Sequence, residues 1–378
     1  MCTATPAAPH VPAPPTYRTR RDVKEEGKAE RETMQLHKGK GVASANTSDD
    51  TLPWIEKYRP STLEEVTGHQ DIISTIERFI DGGKVPHMLL YGPPGTGKTS
   101  TILACARKIY GPKYKNQILE LNASDDRGID VVREQIKTFS STRQISMGPA
   151  SAAGPGFKLV VLDEADAMTQ VAQNALRRTI EKYTRNVRFC IICNYVNKII
   201  TPIQSRCTRF RFSPLPIESV RHRVDHVIEA EGVKITDDGR EALLKLSKGD
   251  MRRALNVLQA CHAAYPNTSE EEVYACVGNP HPADLSLILN SMMSEEFYTS
   301  LRTITEIKTL KGLALQDILG GVYEQLEGVG LPVQVRVTVL ERLAEIEYRL
   351  STGSTEKIQL SAMIGGVKAG LDLAVNEV

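Results

Sequence analysis

The 378-residue chain has no apolar run approaching the roughly twenty residues that a membrane-crossing helix needs. Its opening, Met1 to Pro15, is rich in Pro and Ala and lacks the apolar core of a secretion signal, so export is not expected. Cysteine is sparse: the 7 residues fall at 2, 105, 190, 193, 207, 261 and 276. Only Cys190 and Cys193 are close, inside an apolar run (Phe189 to Cys193) that reads as a buried strand, where they point to opposite faces. That placement suits small buried hydrophobes rather than a zinc or redox pair. Reduced thiols fit a nuclear or cytoplasmic protein. No internal repeat of fixed period is present. Large charge of one sign is also missing, since the net charge is +1. The balance is uneven, however: from His281 to Val378 there are 8 basic and 13 acidic residues, a net of −5, which leaves +6 for the first 280. A polyanion would therefore meet the front of the chain.

What is present is a globular composition, 41% hydrophobic and 25% charged, with length for two or three domains. It is organised around Gly92-Pro93-Pro94-Gly95-Thr96-Gly97-Lys98-Thr99-Ser100, which fits the phosphate-binding pattern G-x-x-x-x-G-K-[ST]. Met88 to Tyr91 leads in like the end of a buried strand, and Thr101 to Arg107 leads out with helix formers. The glycines allow a tight turn that aims N–H groups at phosphate oxygens, and the following helix N-terminus adds partial positive charge. In this pattern Lys98 reaches the β- and γ-phosphates of a bound nucleotide and the Thr99 hydroxyl binds Mg²⁺. A plain Gly/Pro turn before an ordinary helix is the bland alternative, and it does not account for both flanks.

Residues 1–50 read as a disordered tail, Pro-rich and then charged. Order is expected from Leu52-Pro53-Trp54, with a helix over Gln70 to Asp81. Strands are expected at Ile118 to Leu121, Lys158 to Asp163, Val187 to Cys193 and Thr208 to Phe212, with helices at Ile129 to Ser140 and Ala172 to Tyr183 between them. Thr142 to Gly156 reads as a flexible loop. This alternation predicts an α/β fold with a mainly parallel sheet covered by helices on both faces. Pro214-Leu215-Pro216 reads as a hinge. Three helices are expected after it (Ile217 to Ala230, Asp237 to Lys248, Met251 to Ala264), and the pattern past Pro280 is helical, with breaks near Gly312, Gly328 and Gly353. The expected division is a nucleotide-binding α/β domain over 51–215, a small helical domain over 216–280 and an all-α domain over 281–378.

Val160-Val161-Leu162-Asp163-Glu164-Ala165-Asp166 is the natural partner of the phosphate loop. Asp163, at a strand tip, can hold Mg²⁺, and Glu164 can orient and deprotonate a water. Asn194 follows the next strand, where its amide could contact the γ-phosphate and that water; alone it would read as a turn residue. Arg206 and Arg252 suit charge developing on a transferring phosphoryl group, but either also reads as a surface arginine.

Taken in order, these pieces resemble an AAA+ ATPase, and within that group the small subunits of the replication factor C clamp loader. The more specific marks are Glu56-Lys57-Tyr58-Arg59-Pro60, Glu120 to Ile129, Asn174 to Glu181, Ser205-Arg206-Cys207 and Gly249 to Asn256. The stretches Lys311 to Leu315 and Ile346 to Tyr348 point to the type called subunit 3 in fungi and subunit 5 in vertebrates.

The resemblance implies that Tyr58, Arg59 and Pro60 lie beside the adenine. It makes Asn194 and Arg252 nucleotide sensors, Arg252 on a mobile lid. It has Arg206 act in trans on ATP held by a neighbouring subunit. It implies four other clamp-loader subunits joined through a C-terminal collar, a sliding clamp, primer–template DNA gripped by its phosphate backbone, a nuclear location and no membrane. Arg107, Arg133 and Arg177 are the candidate DNA contacts; each also reads as an ordinary surface arginine. The alternatives are another AAA+ motor, such as an unfoldase or branch-migration motor, or a structural subunit that does not hydrolyse ATP. Two departures from the family pattern stand out: the longer N-terminal tail and an enlarged loop over Ser146 to Gly156. The zinc module of bacterial relatives is also missing, since Cys105 is the only cysteine between the phosphate loop and Asp163.

Overall fold

The computed structural model describes residues 52–123, 129–141 and 156–376. The expected tail over 1–50, the turn from Ser124 to Gly128 and the loop up to Pro155 lie outside them. A one-turn helix α1 (Trp54–Lys57) and then α2 (Gln70–Asp81) precede the sheet. There follow β1 (Met88–Tyr91), α3 (Lys98–Tyr110), β2 (Ile118–Asn122), α4 (Ile129–Ser141), β3 (Lys158–Asp163), α5 (Gln170–Tyr183), β4 (Val187–Cys193), α6 (Thr201–Gln204) and β5 (Thr208–Arg211). Helix α5 begins two residues before the expected Ala172, because the Thr169 hydroxyl accepts the Ala172 N–H and caps the helix there.

The five strands form one sheet in the order β2-β3-β4-β1-β5, and every neighbouring pair is parallel. Period-two alternation divides their side chains between two layers. Leu90, Leu159, Val161, Cys190 and Ile192 pack on one side with Ile102 of α3. Leu89, Val160, Leu162, Phe189, Ile191 and Cys193 pack on the other with Leu176 and Ile180 of α5. Both faces are covered, which is why the strands read as unbroken apolar runs. Cys190 and Cys193 do lie on opposite faces.

Helices α7 (Ile217–Glu231), α8 (Asp237–Ser247), α9 (Met251–Ala264) and α10 (Glu270–Val277) follow. The sequence pattern predicts three helices here. The fourth, α10, starts from a capping box, with the Ser269 N–H bonded to Glu272 Oε2 at 2.6 Å. Val220, Val224, Leu243, Leu255 and Leu258 fill the core of this layer, and Trp54 of α1 is buried with them. The last helices are α11 (Pro282–Ser294), α12 (Phe297–Lys311), α13 (Leu315–Gly328), α14 (Val333–Ser351) and α15 (Glu356–Asn376), around a separate core that includes Ile288, Met292, Ile318, Val339 and Met363. A Cβ on Gly321 would stand 2.4 Å from Leu285, so this glycine lets α13 approach α11. Among the described residues, no helix is long and apolar enough to cross a membrane.

His87, just before β1, is buried. Its Nδ1 accepts the Phe189 N–H at 3.1 Å, and its Nε2 lies 3.4 Å from the Thr184 hydroxyl. Burial, with help from the Arg188 charge, pushes its pKa down from 6.5 to about 4. The fold thus holds the neutral ring, and the unfolded chain takes up the proton first. His87 therefore contributes fully above pH 6.5, and its contribution is lost as pH falls toward about 4. Between about pH 7 and about pH 4.5, the wild type is expected to lose about 2 kcal/mol more stability than His87→Asn. Urea unfolding at the two pH values measures this, and equal losses would remove His87 as the titrating group.

Candidate functional site

Parallel pairing brings the C-terminal ends of β3, β4 and β1 side by side. β1 runs into the glycine loop, β3 ends in Asp163, and Asn194 follows β4. One cleft is lined by Pro94 to Ser100, Asp163, Glu164 and Asn194, together with Tyr58, Arg59, Pro60 and Arg252. The structure thus gathers most of the expected residues in one place. Gly92 and Pro93 lie behind the lining, where their carbonyls turn toward Lys98.

Two glycines are demanded by close approach. Gly92 has φ 146, and a Cβ there would fall 1.9 Å from the carbonyl oxygen of Phe212. Gly95 has φ 68, and its Cβ would fall 1.6 Å from Asp250 Oδ1. Lys98 opens α3 and is itself buried. Its Nζ donates to Gly92 O at 2.8 Å, to Pro93 O at 2.7 Å and to Asn194 Oδ1 at 3.2 Å. Burial lowers the pKa of this amine, and the Asp163 charge opposes the shift.

Thr99 donates its hydroxyl to Asp163 Oδ2 at 2.8 Å. The other carboxylate oxygen, Oδ1, accepts the Glu164 N–H at 2.9 Å. Two hard oxygen donors thus meet at the strand tip, the ligand type that Mg²⁺ takes, so these residues fit that ion. Glu164 has φ 52, a backbone conformation rare outside glycine, and is exposed on the cleft.

Part of the cleft lining is apolar: Val66, Leu215, Met251 and Leu255, with Tyr58 and Pro60. The Tyr58 hydroxyl donates to Glu231 Oε1 at 2.6 Å, and its pKa is raised to about 12 by burial and by that carboxylate. Arg59 pairs with Glu56 at 2.8 Å. Helix α9 points its first turn at the glycine loop: the Met251 N–H donates to Gly95 O at 3.2 Å. Asp250 caps that helix, with Oδ1 accepting the N–H groups of Arg252 and Arg253.

Arg206 is not part of this cleft. It is exposed, bonded to Glu181 at 2.5 Å and to Pro202 O at 2.6 Å. Arg107 gives its guanidinium to the carbonyls of Pro60 and Ser61, at 3.4 and 3.1 Å, and lies over the Tyr114 ring. Arg177, on α5, is half-buried, with no hydrogen-bond partner for its Nε. The Arg133 side chain lies outside the described residues. Sequence reasoning missed Arg223 of α7, which lines the cleft and donates from Nη2 to Tyr58 O at 2.7 Å. It also missed Asp250 as the group facing Gly95. Arg223 has no local signature, whereas Asp250 sits one residue before a helix, a position that favours Asp.

Gly92→Ala is expected to destabilise the protein by about 2 kcal/mol or more, since backbone rather than a flexible side chain blocks the new methyl group. It should also abolish nucleotide binding. Thermal unfolding and a titration with ATP measure the two effects, and an unchanged melting temperature would contradict the packing described.

Two family models match the chain. That of the ATPase family associated with various cellular activities (AAA) covers residues 88–215, and that of the replication factor C C-terminal domain covers 280–366. Replication factor C subunit 3 of Schizosaccharomyces pombe is 60% identical over 345 residues, which is 90% of this chain and 99% of that protein. Replication factor C subunit 5 of Homo sapiens is 56% identical over 334 residues, 88% of this chain and 96% of that protein. Among solved structures, the RuvB Holliday junction branch migration motor of Thermotoga maritima aligns with a TM-score of 0.47 at 16% identity, over 69% of this chain and 90% of that one. The two family models and the near-full-length relatives agree: the chain belongs to the replication factor C small subunits of the subunit 3 and subunit 5 type and is an AAA ATPase.

Proposed function

We propose that this chain binds and hydrolyses ATP as one of five subunits of a clamp loader, opening a ring-shaped sliding clamp and releasing it closed around primer–template DNA in the nucleus. The observation that carries the nucleotide part is the Thr99–Asp163 contact beside the buried Lys98, at the joined tips of β1, β3 and β4. Family membership supports the loader part.

In this reading, Thr99 and Asp163 hold Mg²⁺, which supplies positive charge to the phosphate oxygens when bound. The N–H groups of Gly95 to Thr99 cradle the phosphates at the start of α3. Lys98 exchanges loop carbonyls for β- and γ-phosphate oxygens. Glu164 takes a proton from the attacking water, which Asn194 orients. Arg252 contacts phosphate from the lid side. Arg206 stabilises charge on ATP held by the adjacent subunit, which agrees with its exposure outside its own cleft. Its ion pair with Glu181 gives the guanidinium a resting position on α5.

The helices beyond Pro280 serve as the collar, and their net charge of −5 keeps that region away from DNA. DNA is held without sequence readout, through phosphates, by Arg133 of α4, Arg177 of α5 and Arg107 of α3. Arg107 must first release two carbonyls to take part.

Lys98→Ala is expected to weaken ATP binding by at least about a hundredfold, by removing a charge-assisted contact to the β- and γ-phosphates. Equilibrium titration of the full chain measures it, and unchanged affinity would overturn the assignment. In the five-subunit assembly expected to co-purify with this chain, Arg206→Ala should lower turnover at the neighbouring site about a thousandfold. ATP affinity at this chain's own site should stay the same. Unaltered turnover next door would remove the trans role.

A further inference from the structure

The segment from Trp54 to Pro60 precedes the sheet in the chain, yet the helical layer holds it. Trp54 is buried among Val220, Leu255 and Leu258. Its N–H donates to Gln259 Oε1 of α9 at 3.1 Å. Glu231 of α7 takes both the Lys57 ammonium at 2.8 Å and the Tyr58 hydroxyl at 2.6 Å. Arg223, two turns earlier on α7, donates to the Tyr58 carbonyl. Of the three helical-layer residues holding the segment by hydrogen bonds, Gln259 and Glu231 stay out of the cleft and only Arg223 lines it.

The cleft is therefore made of two parts. Its polar end, with Lys98, Thr99 and Asp163, is rooted in the sheet. Its other part is the Tyr58-Arg59-Pro60 wall, held at the Tyr58 carbonyl by Arg223 of α7 and at the Pro60 carbonyl by Arg107 of α3. A guanidinium is a rigid planar donor, so a charge-assisted bond from Arg223 fixes the backbone of that wall in one place. The same helix α9 carries Arg252 at its start and Gln259 two turns on, so the wall and Arg252 keep one spacing.

We propose that Arg223 is a positioning residue for the base of a purine nucleoside triphosphate: by gripping the Tyr58 carbonyl, it sets the wall against which the base lies and ties that wall to the lid. The proposal rests on the nucleotide reading given above. It concerns the base end alone and predicts a separation by ligand. Inorganic tripolyphosphate with Mg²⁺ meets the sheet-rooted end and Arg252, whereas ATP with Mg²⁺ also meets the wall.

Titration calorimetry of the full chain with each ligand tests it. Arg223→Met keeps the aliphatic stem and removes the donors. It should weaken ATP binding about tenfold and leave tripolyphosphate affinity within about twofold. Arg223→Lys, which keeps a charged donor, should recover part of the ATP affinity. Unchanged ATP affinity in Arg223→Met, or equal weakening of both ligands, would overturn the proposal. If Arg223→Met does not fold, Arg223→Gln replaces it under the same criteria. A wild type that binds neither ligand would overturn the nucleotide reading itself, and the proposal with it. A wild type that binds both, beside a variant that fails to discriminate, would sink the proposal alone.

Discussion

An ammonium taken out of water must have its charge answered on every side, and Lys98 is such a group. Two loop carbonyls and the Asn194 amide oxygen accept its hydrogen bonds, and the Asp163 carboxylate supplies the opposing charge. Those partners come from three strand ends, so the amine can be buried only if β1, β4 and β3 lie in that order with their tips level. The parallel sheet meets this condition. The apolar runs that cover both its faces give it the rigidity to hold atoms from distant parts of the chain within a few tenths of an ångström. Without the opposing Asp163 charge, desolvation would lower the pKa of the amine further.

A second constraint acts where the helical layer meets the loop. Gly95 has no room for a side chain because the carboxylate capping α9 stands against it, and the Met251 N–H reaches its carbonyl. The first turn of α9 is thus in direct contact with the backbone of the glycine loop. Movement of that helix and reshaping of the loop cannot be independent. Arg252 sits in the same turn, so its place on the cleft follows the packing of one helix end.

Local patterns disclosed much of this. The glycine loop and the acid-tipped strand were legible because each is a short run with its own signature, Asn194 was marked only by its place after a strand and by the family resemblance, and the sheet followed from the apolar runs between turns. Helix α10 was also marked, by Ser269 and Glu272, but its brevity let it pass as a connection. What could not be read is the result of folding at long range. Arg223 looks like any basic residue on an amphipathic helix until Tyr58, 165 positions away, is brought beneath it. Arg107 read as a surface cation, and only the folded chain shows it spending its donors on Pro60 and Ser61. Trp54 fell within the stretch expected to form the α/β domain, 51–215, and only the folded chain shows it buried with the helical layer.

The burial of that indole changes how the molecule comes apart. A cut at Pro214 to Pro216 severs a single connection in the sequence but does not yield two complete pieces: the front half keeps an aromatic plug with nothing to fill, and the back half keeps a socket lined by Val220, Leu255 and Leu258. The helical layer is closed by residues synthesised about 160 positions ahead of it, so it cannot finish folding from its own stretch of chain. Completion of that layer therefore waits on the return of Trp54 and its neighbours to helices made long after them.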